Sequence, residues 1–533
     1  FLERILERMW CTLTQDKYHL LPAQPAALAA DALALALAAG LPLYFPNAFV
    51  GLVGDKFGYL LACLMAGAAA LAAALLLGAG RGSLPRPALD AAWLWPMGLC
   101  ACYALAWYFA EDRYTALWGL SGRKNGLMLY LACTAVYLVV AAFGTQAVTP
   151  LFVGVLVTVG CTVTVLSWMN YFMLDPLDAY YVFLPDNGEL FLGTVGNINF
   201  YGALLCLCLP LAAERFFHGG RLLGWPLLAS MLLFSGLIPA GSDAAWLGCT
   251  AALAVLACRK TTTTHTLARL LVLLAGLGGC GCLTWLLLMV LPARAELRTV
   301  SAVICRPAAL GLAVLCAAGA WLLLRSREKT VYRQIRGAVA AVLLITAAAA
   351  AAANLLPESP AALEPLHFTE RWAANRGYAW QRLWTVYTED TTLLQKLIGL
   401  GGDAANARLN PDVESTRYMT LLNGEPFDSA HNEFLQHLVC GGLLGLICWC
   451  GFLAVALRRG FRIQPGIGAA LLGYAVQSVF SISMPGVFPL VFVLAALAGK
   501  PPAPQTKGAG GRLSGAAVLA FAALVFLTAV PLG

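Results

Sequence analysis

Apolar runs long enough to cross a bilayer, about 17–25 residues each, follow one another along most of the chain with only short polar breaks. That pattern leaves little choice of fold. In lipid every backbone amide and carbonyl needs a partner inside the protein, and a helix supplies its own. Alternating ten-residue segments of the barrel type do not occur. Only 11% of the 533 residues are charged, against roughly 25% in soluble domains, and the mean hydropathy is +0.76. The sequence predicts an all-α, polytopic membrane helix bundle of about 12–15 transmembrane helices. Spans are expected near 26–46, 57–78, 89–109, 125–143, 149–168, 195–213, 224–240, 244–258, 268–291, 308–324, 337–356, 431–457, 465–480, 485–499 and 514–531. The run at 224–240, the short pair at 465–499 and the last run carry the weakest signals. FLERILERMW, at the start, reads as an amphipathic charged stretch and not as a signal peptide.

One stretch breaks the pattern. From Pro357 to Ala430 no apolar run reaches membrane length, and the chain then re-enters on His431-Asn432-Glu433. Three parts are expected: an N-terminal transmembrane bundle, 1–356; a large extracytoplasmic loop, 357–430; and C-terminal transmembrane helices, 431–533. The Lys and Arg bias supports that side for the loop. With Phe1–Gln24 in the cytoplasm, inner breaks hold 21 of the 34 basic residues, as the positive-inside rule requires. The net charge of +7 then reflects orientation and lipid headgroups, with no nucleic acid implied. The cysteines lie mostly inside apolar runs, none in a CxxC pair, and read as small core hydrophobes.

Several residues could carry chemistry. In the long loop, ERWAANRGYAWQRLWTVY sets Arg376, Trp380 and Trp384 four apart, on one helical face, with Arg371 and Arg382 nearby. Planar guanidinium forks suit phosphate oxygens. A surface helix on headgroups, with its arginines solvated, fits the same pattern. GLGGD, Gly399–Asp403, reads as a tight turn where backbone approaches something closely and lacks the spacing of a nucleotide loop. In DSAHNEFLQHL, His431 and Asn432 sit at a helix start; an imidazole there can take a proton from a hydroxyl near neutral pH, and helix amides favour an anion beside it. Glu433 and His437, four apart, are expected to pair. Arg123 lies in RKNG ahead of a span. Asn197 and Asn199, at an apolar helix start, either join helices or line a cavity. Asp243 follows the break Gly241-Ser242. No metal is expected: HExxH and DxD are absent, and the outer acids are Glu111-Asp112, Asp175-Pro-Leu-Asp178 and scattered residues, of which Glu111-Asp112 is a paired acidic motif of the kind that some membrane glycosyltransferases use for metal.

Four of these segments together resemble one family. HNEFLQHLVCGGLLG is similar to the His-Asn-x-x-Leu-Gln…Gly-Leu-Leu-Gly signature of the O-antigen ligase superfamily, which includes O-antigen polymerases and O-linked oligosaccharyltransferases. NRGYAWQRLW with LIGLGGD resembles its Arg…Trp…Gly-x-Gly run. GTVGNINFYGALLCLCLP resembles its Gly-Asn-x-Asn…Pro span, and LSGRKNGL a further Arg-x-x-Gly-Leu element. Order and spacing agree over roughly residues 110–460.

The resemblance implies a GT-C-like, inverting membrane glycosyltransferase. It would move a glycan from an undecaprenyl-pyrophosphate carrier to a glycan, lipid or protein hydroxyl outside the cytoplasm, with no metal and no cofactor. Arg376 would hold the pyrophosphate, and His431 would activate or position the acceptor. Where family ligases often have Ser-Arg-Gly, this chain has Ser242-Asp243-Ala244. A second pyrophosphate cation would then come from Arg371, Arg382 or Arg123, and Asp243 could act as a base. Arg123, Arg371, Arg382, Trp380, Asn197, Asn199 and Asn432 are the expected substrate-side residues. A transporter or flippase of a lipid-linked substrate is the alternative; it would favour ionisable residues near mid-membrane and repeated halves.

Overall fold

In a computed structural model of the chain, residues 25–80, 90–180, 188–356, 361–411 and 427–500 are described. The amphipathic stretch expected at the start and the span expected at 514–531 lie outside them.

Helices form almost all of the described structure. In order they are α1 (Pro25–Leu43), α2 (Leu52–Gly80), α3 (Leu94–Phe109), α4 (Arg113–Trp118), α5 (Leu127–Phe143), α6 (Val148–Tyr171), α7 (Ile198–Phe217), α8 (Trp225–Ser235), α9 (Leu237–Ala240) and α10 (Asp243–Lys260). There follow α11 (Thr264–Leu288), α12 (Thr299–Ile304), α13 (Ala308–Arg325), α14 (Tyr332–Leu355), α15 (Trp372–Thr385), α16 (Leu393–Ile398), α17 (Ala405–Leu409), α18 (Glu433–Ile463), α19 (Pro465–Gln477) and α20 (Phe488–Ala498). Among the described residues the strands are two-residue pieces, β1 (Phe191–Leu192) and β2 (Gly196–Asn197), paired antiparallel just before α7.

Eight of these helices are long and apolar enough to cross a membrane: α1, α2, α6, α7, α11, α13, α14 and α18. Shorter apolar helices lie at Leu127–Phe143, Trp225–Ala240, Pro465–Phe480 and Phe488–Ala498. The protein is an all-α, multi-pass membrane bundle. The run expected at 224–240 is two pieces, α8 and α9, divided at Gly236. The span expected at 431–457 runs on to Ile463 and contains a break at Gly442.

Burial sorts the helices. Every residue of α20 is buried, which suits a segment apolar on all sides. α14 instead exposes Val342, Leu343, Leu344 and Ile345 in a row, a surface that belongs against lipid tails. Lipid is as apolar as the side chains, so close packing rather than water exclusion holds the interior together. Small residues permit it: Cys206 Sγ of α7 lies 3.6 Å from the Ala245 carbonyl and 3.7 Å from Cys249 Sγ, both on α10. Buried Lys56 caps the end of α1, its Nζ donating to the Leu41 carbonyl at 2.6 Å and the Tyr44 carbonyl at 3.1 Å. The last carbonyls of a helix have no partner within it, and a cation there meets that need.

Several helix ends meet at one end of the bundle. Ser242, before α10, donates to Asn199 Oδ1 at 2.8 Å. Gln477, closing α19, donates to the Asn199 carbonyl at 3.1 Å. Asn125, before α5, lies 3.5 Å from Ser483. The start of α18 and the described part of the long loop join them there.

Candidate functional site

The start of α18 is a separate short helix. At Gly442 the backbone takes φ 70° and ψ −177°, a conformation essentially confined to glycine. The break frees the carbonyls of Val439 and Cys440, and the GLGGD turn supplies their partners: Leu400 N–H donates to Val439 and Gly401 N–H to Cys440, each at 3.0 Å. A Cβ on Gly442 would stand 2.3 Å from the Leu397 carbonyl oxygen. The close approach expected of GLGGD is therefore its docking on this interrupted helix.

The same turn organises the Arg123 segment. Asp403 is buried, and its Oδ2 accepts the backbone amides of Leu120 at 2.9 Å and Asn125 at 3.1 Å. Burial pushes its carboxyl up to about 6, against the pull of those amides and of Arg123. Arg123 is thus held by its own loop. It reaches Asp428 with both prongs of its fork, Nε to Oδ2 at 2.5 Å and Nη2 to Oδ1 at 2.8 Å. Burial would raise the Asp428 carboxyl, but its ion pair with Arg123 holds it below the usual carboxylate range.

His431 follows three residues later. Its backbone is left-handed, φ 46°, uncommon for a side chain of this size. Its neighbour Asn432 caps α18, accepting the Leu435 amide at 3.0 Å. Ala430 N–H donates to Gln436 Oε1 at 3.0 Å, and the Ala430 carbonyl accepts the Trp380 indole at 2.9 Å. The imidazole Nε2 lies 3.9 Å from Asp428 Oδ1, with 21% of the side chain exposed. Burial, then the charges of Arg123 and Arg376, lower its pKa well below the ordinary 6.5, with Asp428 opposing. These effects favour the neutral ring and leave it a weaker proton acceptor than a free imidazole.

Arg376 comes from α15, whose first turn is not helical. Ala373, Ala374 and Asn375 are all left-handed, a costly run for residues other than glycine. Arg376 Nη1 donates to the Ala373 carbonyl at 3.2 Å. Among the described residues its buried Nε has no hydrogen-bond partner, a donor that calls for an acceptor. Burial draws the guanidinium below its usual value, and Asp243 opposes this. α15 is no solvated headgroup helix, since Ala379 and Leu383 are buried against the bundle. The Arg376–Trp380–Trp384 face divides: Trp380 stacks on Phe480, whereas Trp384 is exposed.

The remaining expected residues fall into two groups. Asn197 caps α7 through the Asn199 amide at 2.9 Å, and Asn199 ties α7 to Ser242; both join elements. Asp243 opens α10, exposed, with the Thr299 hydroxyl on its Oδ1. Arg371 is exposed just before α15 and Arg382 is half-buried within it. Neither is among the charges acting on His431. Glu111 pairs with Arg408 at 2.9 Å, and Asp112 caps α4 through the Thr115 amide at 3.0 Å.

Sequence reasoning missed three residues here. Asp428 stood in the quoted DSAH with nothing to single it out. Asp403 was read only as the end of a glycine turn. Arg298 packs its side chain against Gly241, beside Asp243, and pairs with Glu189 at 2.9 Å. A cation does stand near the position where Asp243 departs from the family pattern, from a segment 55 residues further on.

Residues 305–450 match the family model described as O-antigen ligase. The match takes in Arg376, Asp403, Asp428 and His431 and leaves out Arg123 and Asp243. No curated protein matches the chain. The match supports the O-antigen ligase/polymerase superfamily that the motifs resemble, and its general type of function as a glycan-transferring membrane enzyme.

Proposed function

We propose that this O-antigen ligase-type chain moves a glycan from an undecaprenyl-pyrophosphate carrier to an acceptor hydroxyl on the extracytoplasmic face of the cytoplasmic membrane, as a ligase or a polysaccharide polymerase. The reading rests on one observation: Arg123 Nη2 donates to Asp428 Oδ1, the oxygen 3.9 Å from His431 Nε2, while the buried Nε of Arg376 has no hydrogen-bond partner among the described residues. A pyrophosphate leaves with negative charge, so the reaction needs fixed positive groups more than a strong acid. The acceptor hydroxyl needs a base.

In this reading Arg376, with its unpartnered Nε, and Arg123 receive the pyrophosphate oxygens. The anomeric carbon–phosphate oxygen bond breaks, and its electron pair leaves with the pyrophosphate. The acceptor oxygen forms the new bond from the opposite face, inverting the centre, and its proton passes to His431. The arginines carry the charge that a metal would otherwise carry. Trp380 positions His431 through the Ala430 carbonyl, and the Asp243 charge favours the charged form of Arg376.

The test is glycan transfer in membranes supplied with a polyprenyl-pyrophosphate glycan and candidate lipid, glycan and protein acceptors. Arg376→Ala and His431→Ala should each lower transfer by about 10²-fold or more, with insertion and expression unchanged. Full activity in both variants would sink the assignment.

A further inference from the structure

Resting on that reading, we infer that Asp428 is an internal stand-in for the donor's phosphate: it fills the Arg123 fork in the empty enzyme and, once the donor displaces it, becomes the partner of His431.

The geometry carries this. A guanidinium binds carboxylate and phosphate through the same two parallel hydrogen bonds, and Asp428 occupies both prongs of Arg123 at 2.5 and 2.8 Å. A donor phosphate therefore cannot take this Nε/Nη2 edge of the guanidinium without moving the carboxylate. Asp428 can move, because 37% of its side chain is exposed and it sits four residues before the α18 cap. A second place is already at hand. Its Oδ1 accepts from Arg123 Nη2 at 2.8 Å and from the Ser429 hydroxyl at 3.1 Å, and it lies 3.9 Å from His431 Nε2. Closing that last gap by about 1 Å would give a charge-assisted hydrogen bond. An imidazole beside a carboxylate is a better proton acceptor, and the imidazolium formed as the acceptor loses its proton is stabilised. Donor occupancy and base strength are then coupled through one carboxylate. Asp428 acts through His431 and is a positioning residue.

A fixed ion pair that merely orients Arg123 predicts the opposite response to its removal, which makes the two distinguishable. In Asp428→Asn the fork loses its competitor, so the donor should bind tighter and KM should fall, by about fivefold. His431 loses its partner, so kcat should fall by about 10²-fold. Asp428→Glu, which keeps the charge, should recover most of kcat. A clamp role would instead raise KM.

The experiment uses the purified full chain in nanodiscs, checked for folding by thermal unfolding. Farnesyl pyrophosphate binding is measured calorimetrically for wild type, Asp428→Asn, Arg123→Gln and the double variant, alongside transfer kinetics. Tighter binding in Asp428→Asn that vanishes in the Arg123→Gln background supports the exchange. Weaker or unchanged binding, or an unchanged kcat, overturns it. The binding arm does not require glycan transfer. If His431→Ala transferred normally, the functional reading would fall while the calorimetry still decided whether Asp428 competes with pyrophosphate.

Discussion

Two histidines six positions apart in HNEFLQH have opposite surroundings. His431 lies before the helix, on left-handed backbone, 21% exposed, among Arg123, Arg376 and Asp428. His437 lies within it, 1% exposed. Its Nδ1 shares a hydrogen bond with the Tyr103 hydroxyl at 3.0 Å, and its ring packs on Trp449 with centroids 5.0 Å apart. Glu433 Oε1 stands 3.8 Å from His437 Nε2, close but beyond hydrogen-bond reach, while Glu433 Oε2 accepts the Tyr474 hydroxyl at 3.0 Å. Residue type does not separate the two. Access does: His431 keeps part of its side chain exposed, whereas His437 completes an interior polar cluster that fastens α18 to α3 and α19.

The sharpest way to break this contrast is to remove each ring in turn. His437→Ala leaves a cavity and strips a partner from Tyr103, and should cost roughly 2–4 kcal/mol. Activity per folded molecule should survive. His431→Asn should do the reverse. Asparagine tolerates left-handed backbone, so the unfolding temperature should hold while transfer falls by about 10²–10⁴-fold. Thermal unfolding in detergent and transfer assays read both. A stable but inactive His437→Ala beside an unfolded His431→Asn would invert the assignment.

The contrast also marks where sequence reading stops. His431 and Arg376 stood out because a titratable ring and a fork were rare polar groups beside apolar runs. Asp428 did not: its meaning lies in a bidentate pairing with Arg123, 305 positions away, and no local periodicity encodes that. Asn197 and Asn432 were placed on the substrate side, yet each caps a helix, a geometry that a polar residue at a helix start shares with a ligand contact. The glycines of GLGGD predicted a close approach but not its target, since the matching break at Gly442 lies inside an apolar run. Most helix positions were legible, although the run at 224–240 is two pieces and the span from 431 is broken at Gly442. Lipid-facing and core helices were not, because α14 and α20 are both apolar, and the weakly read C-terminal pair includes the fully buried α20.

An intermediate effect is expected at the break that sets the two histidine environments apart from the rest of α18. Gly442→Ala must leave its glycine-only conformation, at roughly 1–3 kcal/mol, and its Cβ would strike backbone of the Leu397–Gly399 segment. The GLGGD turn should shift, loosening Asp403 from the Arg123 loop and lowering transfer together with stability. Gly445→Ala is the control: its Cβ would meet only ordinary contacts at 3.7 and 3.8 Å. If the two variants behaved alike, the docked turn would not be what holds Arg123 in place.

The smallest expected effect is a displacement of pH profiles, and it tests His431 most directly. The burial of His431 and the charges of Arg123 and Arg376 outweigh Asp428 and depress the imidazole pKa. The free enzyme therefore keeps its base neutral as pH falls, and the acid limb of kcat/KM should lie well below 6.5. A bound pyrophosphate cancels part of the arginine charge, which favours the imidazolium. The acid limb of kcat, which reports the donor complex, should then lie higher by about one unit or more. Arg123→Gln removes one of the depressing charges and should move the kcat/KM limb upward. Limbs that coincide near 6.5 and ignore Arg123→Gln would describe a solvated histidine, and His431 would then be no better placed for catalysis than any surface imidazole.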